Sequence, residues 1–210
     1  SPAASDSTCL GEILAAAKRA PDSTALVWCD QTLSFGQLID EAKSVAASMG
    51  AQLRESSCGL EIPIAVQLPR SPRQVAVFLG IWWLGRCWLA LDANDPLNKR
   101  RELIQGAGCL LLVSESEVHA DELGLQWVDL DRGELCDSIA PACAPSDLAY
   151  VIPTAGTSGA PKWIEIGQRA FGNQCQGVPE SFGWSESDVV LHRIPLTFGA
   201  GLLELFIPLT

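Results

Sequence analysis

The chain has 210 residues, 48% of them hydrophobic and 19% charged, a balance that excludes a disordered segment and supports one or two domains with a real core. Its formal net charge of -11 argues against nucleic acid as the main partner, because phosphate backbones are gripped by clustered Lys and Arg, and Lys99, Arg100 and Arg101 form the only basic run. Beside Glu102 that run reads as a solvated helix face.

In chain order, the apolar spacing predicts a helix over Cys9 to Arg19, a strand over Ala25 to Cys29, a second short strand over Thr32 to Phe35, and a helix over Gly36 to Met49. Leu38, Ile39, Ala42, Val45 and Ala46 form the apolar face of that helix. A strand over Ile62 to Leu68 precedes Pro72, which suits the first turn of a helix over Arg73 to Leu84, and Cys87 to Leu91 reads as the next strand. The apolar run from Val75 to Leu91 is cut by Gly80, Gly85 and Arg86, so it is read as a buried helix entering a buried strand rather than as a membrane span. Pro96 opens another helix, Cys109 to Val113 and Gln126 to Leu130 read as short strands, and DRGELCDSIAPACAPSD reads as a turn-rich connector. Strands alternating with helices predict an α/β fold, a mainly parallel sheet flanked by helices.

Eight cysteines are scattered without a CxxC pair, and only His119 and His192 are available as imidazole partners, so no metal site is expected. They read as reduced, mostly buried thiols of a cytoplasmic compartment or an organelle stroma, with Cys87 and Cys109 in packing positions. Of the seven tryptophans, Trp82, Trp83 and Trp88 are expected in the core. The opening SPAASDSTCLGEIL carries no positive stretch ahead of an apolar one, so no signal peptide is read there, and a first residue of Ser suggests processing or trimming.

The stretch from Leu148 to Phe171, LAYVIPTAGTSGAPKWIEIGQRAF, sets a loop rich in Gly, Ser and Thr between two apolar strands. Thr154, Thr157 and Ser158 offer hydroxyls, Gly156 and Gly159 let backbone N–H groups approach an anion, and Lys162 adds a compact positive charge, a set of groups suited to a nucleotide polyphosphate. The run GTSGAPK does not fit GxxxxGK[ST], and KWIEI after it reads as a strand, so the expected geometry is strand, loop, strand. Trp163, next to the lysine, is expected to pack over the base of the loop or to restrict its motion.

LAYVIPTAGTSGAPK resembles the signature YTSGTTGxPKG of the adenylate-forming superfamily, which includes acyl-CoA synthetases, luciferases and peptide-synthetase adenylation domains. Three further blocks agree in order: LSFGQL from Leu33 resembles LTYxEL, LGRCWLALDANDPLNKRRELIQGAG from Leu84 resembles LKAGxAYVPIDPxxPxxRI, and PLTFGAGLLELFIPL from Pro195 resembles FDxSxxEIFxPL. The pattern is closest to peptide-synthetase-like adenylation domains. Ala155 stands where the pattern usually has Ser, Trp163 where it has Gly, and Gln168 where a His is common.

The resemblance implies attack of a substrate carboxylate on the α-phosphorus of ATP, giving an acyl-adenylate and pyrophosphate with Mg2+ present, then transfer to a thiol of coenzyme A or of a phosphopantetheine carrier. It assigns Thr154, Gly156, Thr157, Ser158, Gly159 and Lys162 to the nucleotide, Phe198 and Gly199 to the acid, and a structural role to Glu204. At Gly199 amino-acid-activating members carry an aspartate that pairs with the α-amino group; glycine has no charge, which points to a carboxylic, hydroxy, keto or aryl acid, or to an amine held elsewhere. The family's Mg2+-binding glutamate, ribose-binding aspartate, hinge and late catalytic lysine are expected downstream of Thr210. Residues 1–210 therefore read as the N-terminal part of an AMP-binding (adenylation) domain with no complete catalytic set of its own, binding ATP poorly and not turning over. The expected partners are a small carboxylic acid and a carrier protein or further domains of the same chain. The competing reading is a noncatalytic remnant of the fold acting as a nucleotide-sensing or interaction module.

Overall fold

A computed structural model describes residues 7–56, 58–132, 140–154 and 162–210. Helix α1 (Cys9–Arg19) starts at Thr8, whose hydroxyl accepts from the Gly11 N–H. Strands β1 (Thr24–Trp28) and β2 (Gln31–Ser34) pair as an antiparallel hairpin. Helix α2 (Phe35–Glu55) follows with a capping box in which Ser34 and Gln37 satisfy each other's backbone N–H groups. The chain continues through β3 (Ile64–Gln67), α3 (Pro72–Trp83), β4 (Trp88–Ala90), α4 (Leu97–Ala107), β5 (Leu111–Ser114), α5 (Glu117–Leu123) and β6 (Gln126–Val128). Beyond the connector, whose residues 133–139 lie outside the described residues, come β7 (Leu148–Thr154), β8 (Lys162–Gly167), α6 (Gln168–Phe182) and α7 (Gly199–Phe206).

Among the described residues the main sheet has six strands in the order β6-β5-β3-β4-β7-β8. All neighbours run parallel except β7 and β8, which form the antiparallel edge. The central strands IAVQ, WLA and LLVS are buried along their whole length, as parallel strands must be when both faces are covered. Their alternation splits the core in two. Ile64, Val66, Trp88, Ala90, Leu111 and Val113 face the larger core beneath α1, α2, α3, α6 and α7, whereas Ala65, Leu89 and Leu112 face the smaller one beneath α4 and α5.

The larger core is aromatic at its centre. Trp88 lies 4.3 Å from Phe78 and 5.4 Å from Tyr150 between ring centroids, and Trp82 lies 4.7 Å from Phe206. Trp82 keeps its indole N–H satisfied by donating to the Ala149 carbonyl at 2.7 Å. Trp82, Trp83 and Trp88 are thus core residues, as expected, and Cys87 and Cys109 are buried. The basic run lies on α4 with Lys99 and Arg101 exposed, as expected, and Arg100 half-buried: Lys99 pairs with Asp95, Arg100 donates to the buried Gln67 amide oxygen, and Arg101 donates to the Glu122 carbonyl. Each cation is used to tie α4 to its surroundings. No helix among the described residues is long and apolar enough to cross a membrane.

Candidate active site

The hairpin predicted from LAYVIPTAGTSGAPKWIEI forms with β7 and β8 antiparallel, Tyr150 opposite Ile166, Ile152 opposite Ile164 and Thr154 opposite Lys162. At its mouth the Thr154 hydroxyl donates to the Lys162 carbonyl at 3.1 Å. Of the six residues assigned to the nucleotide, Thr154 and Lys162 lie at this mouth; Gly156, Thr157, Ser158 and Gly159 lie outside the described residues.

The two strands alternate in register, so Tyr150, Ile152, Thr154, Lys162, Ile164 and Ile166 share one face of the hairpin. That face belongs to the larger core, which takes in Tyr150, Ile152 and Ile166. Helix α7 meets it there. Phe198 is the N-cap residue of α7 and Gly199 its first residue, and a Cβ built on Gly199 would stand 3.8 Å from Ile152 Cδ1. Of the two residues assigned to the acid, Gly199 therefore sits against the same sheet face as Thr154 and Lys162, next to Ile152, two strand positions back from Thr154. Phe198 is 61% exposed.

A clamp fixes the segment leading into α7. The Glu204 carboxylate accepts from the N–H groups of Ile194 at 2.8 Å and Arg193 at 2.9 Å. Arg70, just before α3, donates to the carbonyls of His192 at 3.2 Å and Arg193 at 2.8 Å. The Ile194 N–H is the main cause that holds the Glu204 carboxyl below the usual range. Burial, then the Arg70 guanidinium, pushes the His192 imidazole below its ordinary value. Gly201 lets the turn close, since a Cβ there would meet the Pro195 carbonyl oxygen at 2.5 Å. Glu204 thus has a structural task, the capping of two backbone donors. Arg70 was not singled out from the sequence; its position after β3 and directly before the Ser71-Pro72 helix start gave only a turn signal.

A cavity of about 980 Å³ lies against this clamp, lined by Trp28, Arg70, His192, Glu204 and Leu209 among others. Thr154, Lys162, Phe198 and Gly199 are not among the residues that line it. Trp163 points to the opposite face from Lys162 and packs on α4 at Gly106 and against the smaller core; the loop it was expected to cover or restrain, residues 155–161, lies outside the described residues. Among the described residues no group of three or more His, Cys, Asp or Glu converges to hold a metal ion, so no step is assigned to Mg2+ on these side chains.

A mainly parallel α/β sheet thus carries an antiparallel edge hairpin with Thr154 and Lys162 at its mouth, and α7 docks on that hairpin's face. The sequence profile of the AMP-binding enzyme family matches residues 13–210, and the chain belongs to that family. It is 33% identical over 191 residues to pyochelin synthetase PchE of Pseudomonas aeruginosa, an alignment covering 90% of this chain and 13% of that protein. It is 28% identical over 197 residues to zwittermicin A synthase ZmaJ of Bacillus cereus, covering 90% of this chain and 36% of the relative. The chain thus spans well under half the length of these relatives. Among solved structures, the nonribosomal peptide synthetase FmoA3 in its α-methyl-L-serine-AMP-bound form superposes with a TM-score of 0.82 at 27% identity, covering 100% of this chain and 23% of that one. VinN in complex with 3-methylaspartate has the same fold, with a TM-score of 0.83 at 23% identity over 97% of this chain and 59% of its own.

Proposed function

We propose that residues 1–210 are the N-terminal part of an adenylation domain that joins a carboxylic acid to ATP. The substrate carboxylate attacks the α-phosphorus, the bond to the β,γ-pyrophosphate breaks, and acyl-AMP and pyrophosphate result; the acyl group then passes to a thiol of coenzyme A or of a phosphopantetheine carrier. The observation that supports this most is the placement of Thr154 and Lys162 on the same hairpin face as Gly199. Lys162 and the hydroxyls and backbone N–H groups of the 155–161 loop neutralise charge growing on the leaving pyrophosphate, and the fixed hairpin holds it in line for departure. Mg2+ supplies further charge neutralisation when bound, through ligands outside these 210 residues. The uncharged Gly199 favours an acid without an α-ammonium group at that position, since a buried ammonium without a counter-charge is costly. Free thiols buried at Cys9, Cys58, Cys87, Cys109 and Cys175 fit a reducing compartment such as the cytoplasm.

The test is ATP–pyrophosphate exchange by the whole protein across a panel of carboxylic acids. Lys162→Ala is expected to lower exchange by about a hundredfold or more, in line with loss of one charge-stabilising donor. An unchanged rate removes Lys162 from this role. Nucleotide binding without exchange for any acid selects the noncatalytic nucleotide-sensing reading instead. Residues 1–210 alone are expected to show no exchange, and measurable exchange by them overturns the assignment of this chain as a partial site.

A further inference from the structure

Trp163 and Gly106 form a knob and a notch. A Cβ built on Gly106 would stand 2.7 Å from both Cζ2 and Nε1 of the Trp163 ring, so the ring occupies the space that any other residue at 106 would need. The ring packs against the smaller core, whose buried members include Leu103 and Ile104 of α4 on the same helix as Gly106. Trp163 is one residue from Lys162, and the pleat puts their side chains on opposite faces. In a strand, a slip of one residue sends every side chain to the other face. Trp163 in its notch and Lys162 on the acid face are therefore one register choice.

Deeper in the hairpin Ile152 and Ile166 pack against the larger core, but among the described residues the register has little other support at the mouth. Trp163 pairs with Pro153, which has no N–H to give to the ladder. The Thr154 hydroxyl donates to the Lys162 carbonyl there. On the acid face, Ile164 is 39% exposed and offers weak anchorage. The bulky contact that can resist rotation or slippage of the strand next to Lys162 is the indole against α4.

We propose that Trp163, seated in the notch left by Gly106, is a positioning residue that holds the β8 register and so aims Lys162 toward the face carrying Gly199. The inference rests on the reading of Lys162 as a phosphate contact, but its structural half can be measured separately. The whole protein is compared with Gly106→Val, Trp163→Leu, Trp163→Phe and the double variant Gly106→Val/Trp163→Leu, each by amide hydrogen exchange and by exchange kinetics. Gly106→Val drives a branched side chain into the ring and is expected to speed amide exchange across Lys162–Gly167. It is expected to raise KM for ATP on the order of tenfold, since small misplacements of a positioning group are costly, while KM for the acid stays within about twofold. The double variant returns both readouts to the level of Trp163→Leu because the colliding ring is gone, and Trp163→Phe, which keeps a flat ring, stays nearer the parent than Leu. Unchanged amide exchange in Gly106→Val and Trp163→Leu overturns the anchor whatever the protein's activity. Loosened amides with an unchanged KM for ATP, in a protein that Lys162→Ala inactivates, overturn the positioning role. If Lys162→Ala has no effect, the phosphate-contact reading fails, and with it the aiming role, while amide exchange still decides whether Trp163 anchors the strand.

Discussion

Gln168 opens α6 on the stripe that it shares with Phe171, Gly172 and Cys175, all buried, and its own exposure is 0%. Among the described residues neither its amide oxygen nor its amide nitrogen has a hydrogen-bond partner, so both atoms are buried without a protein group to replace their water. Methionine is the apolar residue nearest to glutamine in length and branching, with nearly equal helix propensity, so Gln168→Met removes the polar atoms with little change of shape. A buried unsatisfied group costs about 1–3 kcal/mol, and recovery of about 1–2 kcal/mol is the expected gain. For a chain of this size that corresponds to a rise in Tm of roughly 2–8 °C. Urea unfolding followed by tryptophan fluorescence gives the stability directly, with an unchanged m value as the check that the denatured state is the same. A loss of stability in Gln168→Met would refute the reasoning, because it would mean that the amide finds a partner worth more than its desolvation. Gln168→Leu serves as the second reading of the same term, with some of the gain offset by its different shape.

His192 supplies a pH dependence whose sign can be worked out. Its folded pKa is below 6.5, so folded and unfolded states bind protons equally above that value, and below it the unfolded state binds more. Stability therefore falls as pH drops from about 6.5 toward the folded pKa, and His192→Gln should flatten the dependence in that window; an unaltered slope in urea titrations between about pH 7 and 5 would count against it. The thiols give a separate test. Burial pushes Cys87, Cys109 and Cys143 up to about 12 and raises Cys9, which lies 3.7 Å from Cys175 between sulfurs, well above the ordinary thiol range. Among the described cysteines Cys29 is exposed, so iodoacetamide at neutral pH should label it first and reach Cys9, Cys87, Cys109 and Cys175 after denaturation, as read by peptide mass mapping. Early labelling of Cys9 or Cys175 in the folded protein would show that the α1–α6 contact opens readily.

How much of this was legible in the chain follows from where the determining information lies. The α1 bounds match the predicted Cys9 to Arg19, and α2, α3 and the parallel strands fall within a few residues of the apolar runs that define them, because those elements bury one face or both and carry the pattern in their own residues. Helix α2 runs on to Glu55, beyond the predicted Met49, with Gly50 and Leu53 buried in its last turns. Helices α5 and α7 are short, and α6 has Gly172, Gly177 and Pro179 within it, so their local signals favour turns. What holds α6 is tertiary: Phe171 packs 5.1 Å from Tyr150 and 5.7 Å from Phe206 between ring centroids. Local propensity yields to that packing.

The same distinction separates the two neighbours at the site. The role proposed for Lys162 comes from its own segment, because a cation closing a Gly- and Thr-rich loop before a strand needs no distant residue to suggest it. The place of Trp163 could not, because the space that receives its ring is made by the missing side chain of Gly106, 57 positions earlier and on another element. In a helix, a glycine that costs about 1 kcal/mol relative to alanine calls for a compensating contact. Here the ring of Trp163 is that contact, and the cost on α4 and the bulk on β8 explain each other. Two local departures, one on a helix and one beside the loop lysine, thus reduce to a single packing event whose consequence is the direction in which Lys162 points.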